Sequence, residues 1–209
     1  MSAAWERTRP SGLPTYPREA GEGRSPSWWG MILLIFTEAT FFAILLLSYF
    51  YLRFQSGPTW PPDGIEKPDL FLVSIMTPIL VLSSLPMHWA DTGIREGRQW
   101  RLRLGLMATL AQGLTFLGLQ AVEYHTLLDT FTPRTDAYGS LFFTITGFHG
   151  LHVAVGLLLI AWLLVNSFRG RWTRHSHQAV ANIALYWHFV DLVWLFILTS
   201  LYFSPHWWP

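Results

Sequence analysis

The chain has 209 residues, of which 51% are hydrophobic and 13% charged, with 12 Trp, 15 Phe and a formal net charge of +1. A soluble domain carries roughly 25% charged residues, so this composition leaves too little solvating charge for the apolar surface, and lipid is the simpler solvent. The small net charge forms no basic stripe of the kind that binds nucleic acid, and the absence of Cys excludes disulfides, thiolate metal sites and cysteine nucleophiles.

Residues 1–26 read as a flexible N-terminal arm, because Pro10, Gly12, Pro14, Pro17, Gly21, Gly23 and Pro26 break any helix and nothing apolar needs burying. No apolar run stands behind a basic start, so no cleavable signal peptide is expected and the first span inserts itself. Residues 27–209 form the membrane domain. Five apolar segments are predicted to span, over 28–54, 70–89, 102–127, 139–168 and 180–203. Each reaches the roughly 20 residues that cross about 30 Å of hydrocarbon. Short alternating strands of the barrel type are not seen, so the fold class is an all-α membrane protein, five transmembrane helices in a bundle. The connections fall at Gly57-Pro58 to Gly64, Asp91 to Arg103, Asp129 to Asp136 and Arg169 to His177, and no internal repeat of the transporter type is present.

Cations orient the bundle. The arm (Arg7, Arg9, Arg18, Arg24), the second connection (Arg95, Arg98, Arg101, Arg103) and the fourth (Arg169, Arg171, Arg174) share one side, and the other receives Arg53, Lys67 and Arg134. By the positive-inside rule the N-terminus is cytoplasmic and the C-terminus outside. Trp28, Trp29, Trp60, Trp89, Trp100, Trp207 and Trp208 flank the spans as interface anchors.

Ionisable groups inside a span cost several kcal/mol and face protein or trapped water. They are Glu38 in the first span, Glu123 near the end of the third, His149 and His152 in the fourth, and His188 and Asp191 in the fifth. Glu38 sits about 15 Å below the boundary. Two readings are open for it: a carboxyl that handles protons or meets a lipid headgroup, or a buried acid hydrogen-bonded to another helix. His149 and His152 lie three apart on one helix face beside Gly147, Gly150 and Gly156, which suits hydrogen bonds across a close helix contact. A metal or haem site with His188 as third ligand is the alternative, but three imidazoles without a thiolate or clear carboxylate partner make a weak metal signature. His188 and Asp191, again three apart, pair directly or face one neighbour. The bland reading is structural, and a subunit-contact or proton role stays open. Glu123 is expected at a partly wet helix end. No catalytic triad, phosphate loop or dinucleotide fingerprint is present, and no catalytic residue is assigned.

Five stretches together resemble one family. They are Gly30-Met31-Ile32-Leu33-Leu34-Ile35-Phe36-Thr37-Glu38-Ala39-Thr40-Phe41-Phe42; Trp60-Pro61-Pro62-Asp63-Gly64-Ile65; Gln120-Ala121-Val122-Glu123-Tyr124; Tyr138-Gly139-Ser140 with Thr146-Gly147-Phe148-His149-Gly150-Leu151-His152-Val153; and Tyr186-Trp187-His188-Phe189-Val190-Asp191-Leu192-Val193-Trp194-Leu195-Phe196. In this order they resemble subunit III of the haem–copper terminal oxidases, cytochrome c oxidase subunit III, in a short form without the first two helices of the commoner seven-helix members. Where many members carry a glutamate shortly before the Tyr-Trp-His motif, this chain has Ala181.

The resemblance implies a non-catalytic subunit that binds no haem or copper, those groups being expected in partner subunits. It implies packing against subunit I among the other oxidase subunits, in the bacterial cytoplasmic membrane or within a larger respiratory supercomplex. It also implies structural phospholipids held between helices and support for proton uptake, with Glu38 the functional acid in the lipid cleft. His149, His152, His188, Asp191 and Glu123 then frame that cleft or hold the bundle. The family includes quinol-oxidase and nitric-oxide-reductase-associated relatives. Outside the family, a proton-coupled transporter using Glu38 and Asp191, or a His-ligated haem enzyme, remains to be separated by substrate flux and by visible absorbance of the isolated chain.

Overall fold

Ser25 opens the first helix: its backbone is extended (φ −62°, ψ 154°), its hydroxyl oxygen accepts the Trp28 N–H at 3.3 Å, and Pro26 fills a position whose N–H would have no partner. The computed structural model describes residues 25–56, 60–62 and 70–207, with Trp207 described by its backbone alone. The arm before Ser25, the Gly57-Pro58 and Asp63-Gly64-Ile65 parts of the first connection, Lys67 and Trp208 lie outside the described residues. Helix α1 runs Pro26–Gln55, α2 Leu70–Arg95, α3 Gln99–Leu128, α4 Ala137–Phe168 and α5 Gln178–Ile197. The last continues through a π-helical stretch, Leu198–Phe203, into a closing turn α6, Ser204–Trp207. The only β feature among the described residues is an isolated bridge between Thr173 and Ser176. Among the described residues five helices, the fifth counted from Gln178 to His206, are long and apolar enough to span a membrane.

Helix α2 outruns its predicted end at Trp89 by six residues, to Arg95. Asp91 and Arg95, one turn apart, pair at 2.8 Å and carry the helix past the apolar run. Gly97 at φ 79° then ends it: the Arg98 N–H reaches the Gly93 carbonyl at 2.8 Å and the Gly97 N–H the Ile94 carbonyl at 2.9 Å. The second connection therefore shrinks to Glu96-Gly97-Arg98. Gly170 at φ 69° closes α4 in the same way, with Arg171 N–H on the Asn166 carbonyl.

α5 is the central helix. Two-thirds of its most apolar window (67%) is buried, against 6% for α1, so α1 is the outer helix. α5 packs on α1, α2 and α4, α3 fills the space between α2 and α4, and α1 also touches α4. Trp187 of α5 is the keystone. It is fully buried, and its indole N–H donates to Ser83 Oγ on α2 at 2.8 Å. Its benzo ring lies against Gly113 of α3 and Gly156 of α4, where a Cβ would come within 2.9 and 2.8 Å of ring carbons. Lipid weakens the hydrophobic drive between helices, so such close, small-residue contacts carry the association.

The start of α1, the α2–α3 turn and the α4–α5 connection meet at one end: Gln178 bonds Ser25, and Gln99 donates to the Trp172 carbonyl at 2.6 Å. Seven of the nine described arginines belong to this end, Arg53 and Arg134 to the other. At that other end Trp60, expected as an exposed interface anchor, is 7% exposed and wedged between Tyr49 (centroids 5.6 Å) and Tyr138 (5.4 Å). Buried Arg53 donates to Ser204 Oγ and, at 2.9 Å, to the Ser204 carbonyl, tying α6 to α1.

Candidate functional site

Glu38 and His152 meet across the α1–α4 contact. Glu38 lies on the fourth turn of α1, and its carboxyl Oε2 is 3.0 Å from His152 Nε2. The other imidazole nitrogen, Nδ1, is 2.6 Å from the Phe148 carbonyl one turn back. A carbonyl only accepts, so Nδ1 carries a proton. The pair then has two forms: a neutral acid donating to Nε2, or an imidazolium Nε2–H donating to a carboxylate. Either way a single proton lies between Oε2 and Nε2, and the pair is neutral overall. Neutrality is what makes an acid tolerable at this depth.

The pair is not sealed. Side-chain exposure is 29% for Glu38 and 14% for His152, so Glu38 reaches the outer face of the bundle. Phe42, one turn further along α1, packs edge-on against the His152 ring (centroids 5.1 Å). Phe42 also lines an apolar groove of about 220 Å³ between α1 and α5, floored by Phe189 and Phe196. The arrangement places an acid–imidazole pair beside an apolar slot open to the surface.

His149, on the same face of α4, does something else. It is fully buried, stacked on Trp194 (centroids 5.0 Å, 28°) and edge-on to Phe116 at 6.0 Å. Among the described residues neither ring nitrogen has a hydrogen-bond partner. Its place in the packing is that of an aromatic ring. Of the neighbouring glycines, Gly150 admits Gln120, whose Oε1 lies 3.1 Å from where a Cβ would stand, and Gly156 admits Trp187. Gly147 is less crowded, with the Tyr124 hydroxyl at 3.6 Å.

His188 and Asp191 do not bond each other but share Ser84 of α2. Ser84 Oγ is 2.7 Å from His188 Nδ1 and bonds Asp191 Oδ2. Glu123, expected at a wet helix end, is only 6% exposed and accepts from the Tyr202 hydroxyl at 3.1 Å. The π-helical stretch carries Tyr202 inward over the end of α3, and that removes the water. Asn182, beside Ala181, donates to Ser27 Oγ at 2.7 Å and to its carbonyl at 3.1 Å, fastening the start of α1 to α5. His149 and His152 thus have separate environments from His188, and no group of three or more His, Asp or Glu side chains is placed to hold a metal among the described residues.

Ser84, Ser83, Arg53 and Tyr202 carry much of this polar bonding; in the sequence Arg53 served only to orient the bundle, and the other three were not singled out. The signal for the serines was the adjacent Ser83-Ser84 pair in the apolar run of α2, between Pro78 and Pro86. For Arg53 it was an arginine still within the apolar run of α1.

A sequence model of the family described as cytochrome c oxidase subunit III matches residues 24–208. A protein from Thermostichus vulcanus named cytochrome c oxidase subunit 3 is 38% identical over 174 residues, covering 83% of this chain and 85% of its own length. Its namesake in Latimeria chalumnae is 39% identical over 189 residues, covering 86% of this chain and 69% of its own. The Arabidopsis thaliana protein of the same name is 36% identical over 185 residues, with 86% and 68% covered.

Proposed function

The chain belongs to the cytochrome c oxidase subunit III family, and from that footing we propose that it is the non-catalytic third subunit of a proton-pumping haem–copper oxidase. In that role it packs against subunit I among the other oxidase subunits, which hold the haem and copper and carry electrons to oxygen. The name shared by its relatives supports cytochrome c as the electron donor. The arginine-rich end, with the N-terminus, faces the cytoplasm of a bacterium and the C-terminus lies outside, following the positive-inside rule.

The observation that supports the proton role is the 3.0 Å contact of Glu38 Oε2 with His152 Nε2, which has room for one proton between them, on a carboxyl within reach of the surface. Proton exchange across it needs only a move between Oε2 and Nε2, with no charge left unpaired. The adjoining groove of about 220 Å³ suits a phospholipid acyl chain, so bound lipid and Glu38 lie side by side. A chain lying there shields the pair from bulk water and keeps its neutral state favoured.

Glu38→Gln keeps a hydrogen-bonding side chain but ends the proton exchange. In the purified oxidase reconstituted into liposomes, assembly and haem content should match the parent while proton uptake slows and activity decays sooner during turnover. Sustained turnover equal to the parent's would overturn the functional role of Glu38.

A further inference from the structure

A polar cavity of about 550 Å³ opens at the arginine-rich end, lined by His88, Asp91 and Arg95 of α2, His175 and His177 of the α4–α5 connection, and His188. It is not part of the Glu38–His152 contact, and nothing in the proposed function uses it. His188 is its inner wall. From His188 Nδ1 the bonding continues to Ser84 Oγ at 2.7 Å and on to Asp191 Oδ2. Asp191 is 6% exposed, and its second oxygen is buried without a partner among the described residues. A carboxyl that deep, connected by two hydrogen bonds to a wettable cavity, is costly as mere packing.

The number of hydrogens on this chain is constrained. Ser84 has one hydroxyl hydrogen and two partners. With Asp191 ionised, the hydroxyl donates to Oδ2 and must accept from His188 Nδ1–H. With Asp191 protonated, the acid donates to Oγ, and the hydroxyl turns to donate to Nδ1, leaving His188 neutral with its proton on Nε2. Both patterns fit the same heavy-atom positions.

We propose that His188, Ser84 and Asp191 form a proton-loading site, filled from water in the cavity and ending on Asp191. Loading proceeds by one relay. A hydronium in the cavity gives a proton to His188 Nε2, its O–H bond breaking to leave water; the Nδ1–H bond breaks as Ser84 Oγ takes that proton; and the original hydroxyl hydrogen passes to Asp191 Oδ2. One proton enters, Asp191 goes from carboxylate to acid, and His188 ends as the neutral Nε2–H tautomer. The titratable and charged groups that share the cavity with His188 are His88, His175, His177 and the Asp91–Arg95 pair, which meets at 2.8 Å. On α1, α3 and α4, the other elements packed on α5 and its continuation, the carboxyl and imidazole groups of the spans are Glu38, Glu123, His125, His149 and His152; Glu38 and His152 are bonded to each other, and Glu123 accepts from Tyr202. The site therefore stands apart from the Glu38 reading, and either one fails without the other.

The test is infrared spectroscopy of the full chain in lipid nanodiscs across a pH series, following the carbonyl stretch of a protonated carboxyl and its rate of exchange in deuterated water. Other carboxyls contribute bands of their own, so Asp191 is read from difference spectra: the parent and Glu38→Gln should share a component that grows as pH falls and that Asp191→Asn removes. Ser84→Ala keeps the acid but removes the relay, so the band should persist and exchange about a hundredfold more slowly, the low end of what a positioned proton donor contributes. Parent and Asp191→Asn spectra that superimpose across the pH series, or parent-like exchange of that component in Ser84→Ala, would overturn the proposal. Should Asp191→Asn not fold, the exchange rate of Ser84→Ala decides alone.

Discussion

Replacing Gly156 by Ala probes the centre of the bundle with one methyl group. The new Cβ would stand 2.8 Å from Cε3 and Cζ3 of Trp187, about 1 Å inside ordinary carbon–carbon contact. The ring has little freedom to retreat. Its N–H is held by Ser83 Oγ at 2.8 Å, and its far edge already bounds Gly113, where a Cβ would meet Cη2 at 2.9 Å. Two effects compete. Ala gains up to about 1 kcal/mol of helix propensity over Gly. Overpacking a filled site costs about 1–3 kcal/mol, and at this separation the overpacking wins. Net destabilisation of about 1–2 kcal/mol is expected from the two together. Trp187→Phe shortens the ring and releases the clash, so the double variant should be less unstable than the two single losses summed, by about 0.5–3 kcal/mol of coupling. The assay is reversible unfolding of the chain in mixed micelles by rising SDS fraction, read by far-ultraviolet circular dichroism. Strictly additive losses, or a Gly156→Ala chain as stable as the parent, would refute the keystone role of Trp187.

His149→Phe keeps a ring on Trp194 while removing two buried, unpartnered nitrogens, so stability in the same assay should hold or rise; a loss above about 2 kcal/mol would mean His149 has a hydrogen-bonded role. His152→Phe should do the opposite, because it strands the Glu38 carboxyl, costing about 1.5–3 kcal/mol before discount for the partial exposure of the pair; a neutral outcome would contradict the pairing. Arg53→Leu should free α6, seen as faster amide hydrogen exchange around Ser204 with the α2–α3 hairpin unchanged; unaltered exchange there would show that Arg53 does not hold the end.

The helices were legible because apolar runs longer than a bilayer is thick have one solution, every backbone group bonded within its own segment. Their ends were less so. α2 passes Trp89 on the strength of an Asp91–Arg95 pair, and hydropathy is blind to a paired charge. The ionisable residues of the site could be picked out because each is expensive in lipid, but cost does not name a partner. The i, i+3 spacing of His149 and His152 put both on one face, while the structure sends one to Glu38 and the other among aromatic rings. The same spacing put His188 and Asp191 within reach of one neighbour, and that neighbour, Ser84, looks like any small residue in a span. Glu123 and Trp60 looked wet by position along the chain. Tyr202 of the π-helical stretch covers Glu123, and Tyr49 and Tyr138 enclose Trp60, and neither contact is a local property.

The most direct test of the subunit III assignment is a mild-detergent purification through a tag on this chain, with visible spectra of the complex and of the chain after separation. Haem absorbance that comes with larger partner subunits, and a separated chain without colour, is the predicted result. A chain that brings down no haem protein, or that keeps haem of its own once separated, would contradict the account.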